Sequence, residues 1–230
     1  MSSVAAAIAL GYGLVWLALF GHRSGRQPWL LAAFTVGAVT FPVTVLLVTP
    51  IQALVASLAG WDIDAYSTAL GAGVVGAVTS AAVNEVFKLA AALLLWSMAG
   101  ERGEPVAFGA AAGAGFGAWG AHQVISLALA ARTLPISSWA GFATSLLQQF
   151  AFVALHSATT ALAAVGVGRR RVGTYLGGAV VWEALYGILG LLFALRLYSS
   201  LTWALLSVVA GVGAGGYALF LVSPRGGTPR

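Results

Sequence analysis

Cysteine is absent from the 230 residues, which excludes disulfides, thiolate zinc sites, iron–sulfur clusters and a cysteine nucleophile. Charge is nearly as scarce. Only 7% of the residues are charged, whereas a soluble domain carries about 25%. Eleven basic and six acidic side chains are too few to coat a globule of this length. That shortage argues against a soluble enzyme, a disordered tail or a nucleic-acid reader, despite the formal net charge of +5. The basic excess calls for an explanation from membrane topology, not from phosphate binding. The motifs of soluble catalysts are missing too: there is no HExxH, no P-loop and no GxSxG.

What the chain has in place of charge is apolar length. Apolar residues make up 60% of it, and the mean hydropathy is +0.95. A membrane-crossing helix needs about 20 largely apolar residues. Reading from charge to charge predicts seven: about 4–20, 29–49, 67–98, 105–132, 138–168, 173–195 and 200–222. The expected fold is therefore an all-α, polytopic helical bundle forming a single transmembrane domain over 1–230. Segment 51–66 is too short to cross and ends in WDID, so it reads as an interfacial or re-entrant piece outside the third span. The first span lacks a basic lead and reads as a retained anchor. Loops after spans one, three, five and seven hold Arg23, Arg26, Arg102, Arg169, Arg170, Arg171, Arg225 and Arg230. Those on the other side hold Arg132 and Arg196, with Asp62 and Asp64. Basic residues concentrate on the cytoplasmic side of membrane proteins. The expectation is an N-terminus outside, a C-terminus inside and a multi-pass protein of a prokaryotic plasma membrane. In the fourth span Gly109, Gly113 and Gly117 recur every four residues, a smooth stripe on which another helix can lie closely.

Ionisable groups within spans are costly, and each is a functional candidate. The third span has Asn84, Glu85 and Lys88, the fourth His122, the fifth His156 and the sixth Glu183. At 1.5 Å rise per residue, Glu85, His122, His156 and Glu183 all fall within roughly 6 Å of the midplane. A shared depth in four consecutive helices predicts a central polar cavity. Glu85 and Lys88 stand three apart and can pair along one face. Bland roles exist for each group: a self-neutralised pair that fixes packing, histidines bonded to neighbours, a Glu183 that is protonated or paired with Lys88. As chemistry, two histidines and one or two carboxylates form a zinc set with an open position for water, His122, His156 and Glu85 being the candidate ligands. Alternatively, a carboxylate acts as base on water while histidines stabilise an oxyanion. A proton or ion relay is the third possibility.

The stretches NEVFK (84–88), GAGFGAWGAHQ (113–123) and LLQQFAFVALHSATTALAAVGVGRRR (146–171) carry a resemblance. Over roughly residues 76–190 the chain resembles the PrsW and YhfC type of intramembrane metalloproteases, relatives of the CAAX prenyl protease and of the APH subunit of gamma-secretase. Glu85 and Lys88 match the second acid and the base of that group's EExxK motif. GAGFG looks like its glycine-rich motif, and His156 ahead of a basic loop resembles its ER…H helix. Asn84 stands where the first acid belongs, Gln148–Gln149 where a Glu–Arg pair belongs, and Glu183 where a last histidine belongs. The resemblance implies peptide hydrolysis in the membrane, with the base reassigned from position 84 to Glu85 or Glu183; the expected catalytic set is Glu85 as base, His122 and His156 as ligands or oxyanion partners, and Lys88 and Glu183 as tuning charges. It equally accommodates a non-catalytic scaffold that binds other membrane proteins through glycine-rich helix faces, as the APH subunit does. A small-solute or proton-coupled transporter would show two related halves with broken spans, and no such repeat is evident. In every reading the immediate partner is the lipid bilayer, and no nucleic acid is involved.

Overall fold

The computed structural model describes residues 2–21, 28–60, 66–100, 104–130 and 139–222. Among them lie seven α-helices: α1 (Ser2–Gly21), α2 (Pro28–Leu58), α3 (Tyr66–Met98), α4 (Pro105–Ala130), α5 (Trp139–Gly168), α6 (Val172–Ala194) and α7 (Ser200–Val222). Six of them, all but α4, are long and apolar enough to cross a membrane. Their outward faces carry bare apolar bulk, such as Leu46 at 74% and Val209 at 70% exposure. Water would not tolerate so much of it. This is a membrane-embedded helical bundle.

One boundary differs from expectation. Residues 51–58 are not a separate interfacial piece; they continue α2 through Pro50. IQALVASL is itself a helix-compatible apolar run, and a proline interrupts only one hydrogen bond of the helix that precedes it, a loss that membrane helices tolerate. The extension is anchored: Gln52 Nε2 donates to the Gly76 carbonyl at 3.1 Å and to Ser80 Oγ at 2.9 Å, tying α2 to α3. The WDID stretch at 61–64 lies outside the described residues.

α4 sits at the centre, packed against α1, α2, α3 and α5. It is buried without a break from Ala107 to Ala118, which explains its low apolar bulk: Gly and Ala suffice where neighbours are helices. A Cβ at Gly113 would stand 2.1 Å from the His156 carbonyl oxygen, and one at Gly115 would stand 1.9 Å from that of Phe34. Only glycine permits these approaches. The Gly109–Gly113–Gly117 stripe thus packs against α5 of the same chain, over Thr160, His156 and Val153. It is consumed internally and is not open to a partner protein.

Candidate functional site

The backbone of α5 is pressed onto α4 at His156, which fixes that side chain between α3 and α6. There Lys88 of α3 stands at the centre of a ring of acceptors. Its Nζ donates to Glu85 Oε1 at 2.6 Å and to Glu183 Oε2 at 2.7 Å, and lies 2.9 Å from His156 Nδ1. An ammonium has three hydrogens and no acceptor. All three are therefore used, and His156 Nδ1 must be the accepting atom. In a neutral ring the imidazole hydrogen then sits on Nε2. Glu85 and Lys88 are fully buried, and His156 and Glu183 nearly so. The Lys88 ammonium also lies 5.0 Å from the Phe116 ring centroid, a cation–π contact that suits a desolvated charge.

Further bonds pin the acids. Asn84 Nδ2 donates to Glu183 Oε1 at 2.8 Å. The Thr160 hydroxyl lies 3.2 Å from Glu85 Oε2 and 3.0 Å from the His156 carbonyl, sharing its hydrogen between them. Phe152 meets the His156 ring edge-on at 4.3 Å. Against this background one atom stands out. His156 Nε2 is buried and has no hydrogen-bond partner among the described residues.

A cavity of about 830 Å³ opens beside the cluster. α2, α3 and α6 wall it, with Phe116 and Phe152 at its inner end, and Gln52, Ser80, Asn84 and Tyr186 supply polar groups beside His156 and Glu183. Glu85 and Lys88 are not on its wall; they lie behind, fully enclosed. Its lining runs toward the C-terminal ends of α2 and α6 and the N-terminal end of α3. Within the bundle, His156 and Glu183 form the reachable edge of the ionic centre.

Of the residues singled out in the sequence, Glu85, Lys88, His156 and Glu183 come together. His122 does not. It lies against Trp119, with Ser126 Oγ 3.4 Å from its Nδ1, and lines a small groove with residues of α1 and α2. The expected convergence of four groups is corrected to three acceptors around Lys88. Six residues separate His122 from Phe116, which faces the centre, and that spacing turns His122 about 120° away around the helix. Gln149 lines a separate small pocket against α4, and Gln148 reaches the Ser200 carbonyl. Asn84 enters the site as a partner of Glu183, a role that its position beside Glu85 did not reveal.

The zinc expectation can be tested on this geometry. Glu85, His156 and Glu183 each offer a donor atom, all within 4.8 Å of one another. Those donors nevertheless converge on an ammonium already within hydrogen-bond distance of all three. A divalent ion at that point would have to displace it. The set does not fit zinc and Lys88 together.

Fold and site define a class: a membrane-embedded helical bundle with a buried Glu–Lys–Glu–His centre at the end of an intramembrane cavity. No protein-family model matches the chain, and no curated protein sequence matches it.

Proposed function

We propose that the chain is an integral membrane protein of the PrsW and YhfC type, inserted with its N-terminus outside, that receives a membrane-embedded peptide segment and hydrolyses it. The observation that carries this reading is the meeting of cavity and centre. The cavity ends at the carboxylate of Glu183 and at the imidazole of His156, whose buried Nε2 has no hydrogen-bond partner among the described residues. In this reading Glu183 takes a proton from water as its oxygen bonds to the scissile carbonyl carbon. The His156 Nε2–H group donates to the developing oxyanion. The proton then passes from Glu183 to the departing amine as the C–N bond breaks. Glu85 is set aside as base because it is fully buried and, unlike Glu183, does not line the cavity.

The purified chain in lipid vesicles, given single-span peptides, tests this. Cleavage is expected, with a fall of at least about 10²-fold in Glu183→Gln, the usual contribution of general acid–base catalysis. Full cleavage by Glu183→Gln would sink the assignment of the base.

A specific observation favours a second reading, the non-catalytic scaffold. Glu183 already accepts from both Lys88 and Asn84, which weakens it as a base. A scaffold would leave every peptide intact and co-purify with a stable membrane partner.

A further inference from the structure

We propose that Lys88 is the resident cation of this centre: its ammonium holds the position a divalent metal would take from Glu85, His156 and Glu183, so the native chain binds no metal there and the Lys88→Ala chain acquires zinc.

Three observations lead to it. The donors are those of a metal site, and each directs one atom at a common point, where Nζ lies 2.6, 2.7 and 2.9 Å from them. The donor spacing is also close to what zinc needs. Tetrahedral bonds of about 2.0–2.1 Å put neighbouring ligand atoms about 3.3–3.4 Å apart. His156 Nδ1 and Glu183 Oε2 are already 3.3 Å apart. Only Glu85 would have to close in, and it sits on the same helix as residue 88, one turn away. The third observation is formal charge. Two carboxylates without Lys88 carry −2, which one divalent ion neutralises. With Lys88 present the same ion would bring a second cation into contact with the first, inside a site closed by Phe116.

The assignment of the cation position does not depend on the hydrolysis. It stands or falls separately from the proposed activity, because its readout is metal content and stability. The test compares wild type, Lys88→Ala and Lys88→Ala/His156→Ala, each purified in detergent, loaded with zinc and passed through a desalting column. About one equivalent of zinc is expected in Lys88→Ala and essentially none in wild type or in the double variant, since metal affinity requires the full ligand set. The thermal midpoint of Lys88→Ala should rise on adding zinc and fall with a chelator, while that of wild type stays put. Stoichiometric zinc in wild type, lost on His156→Ala, would overturn the proposal. So would a Lys88→Ala chain that zinc neither binds nor restores to the folded state.

Discussion

Lys88 is the residue on which the site balances. Two acids and an imidazole are held in an apolar interior by one ammonium, and removing one member of a buried ion set leaves uncompensated charge. Lys88→Met, measured without added metal, should lower stability by about 3–5 kcal/mol. Asn84→Ala removes one donor from the Glu183 carboxylate and should cost about 1.5–3 kcal/mol, the worth of a hydrogen bond to a charged group. Detergent-phase thermal unfolding of both variants beside wild type checks the ranking; equal, small losses would show that the cluster is not under electrostatic tension. The Glu85–Lys88 pair was legible in the sequence because i, i+3 spacing fixes direction as well as depth. Depth alone placed His122 with the others. α4 is apolar or small around its whole circumference, so no polar–apolar contrast reveals which way a residue faces, and the rotation that removes His122 was not readable. Asn84 looked like a lost acid; in the fold it is a donor that orients a different acid, a pairing across 99 positions that no local spacing announces.

Among the elements, α4 and α2 show what a pattern can and cannot tell. The glycine stripe of α4 announced a close helix–helix contact, and the contact exists, but only the packing shows that α5 is its occupant. Gly113→Ala should therefore be severe. Its Cβ would meet the backbone of His156, which cannot yield as a flexible side chain would, so the cost should exceed the about 1–3 kcal/mol of ordinary overpacking. Gly213→Ala on α7 is the matched control: a Cβ there meets nothing within 4 Å, and the helix should be unchanged or stabilised by up to about 1 kcal/mol. Unfolding midpoints of the two variants decide it; comparable losses would contradict the packing account. The extension of α2 past Pro50 escaped the sequence because a proline and a nearby acidic loop resemble a helix end. The Gln52 bonds to α3 that hold the extension are long-range.

At the scale of the whole molecule, the absence of cysteine becomes an experimental convenience. Single cysteines can be introduced without clearing a background. Ser199→Cys should be labelled by an impermeant maleimide from outside intact cells, and Val172→Cys only after lysis, as the arginine distribution requires; the reverse pattern would invert the topology. With that orientation the cavity extends from the midplane toward the outer face, since its walls follow the C-terminal ends of α2 and α6. Helix number and helix type were legible from charge scarcity and span length. The cavity was foreseen only as a consequence of shared depth, and its walls depend on tertiary packing. The central claim is that this cavity delivers a membrane segment to Glu183 and His156. Mass spectrometry of single-span peptides incubated with the reconstituted chain tests it most directly. The expected result is a cut in the middle of the hydrophobic span, lost in Glu183→Gln. Peptides left whole by wild type, or cut equally by both chains, would contradict it.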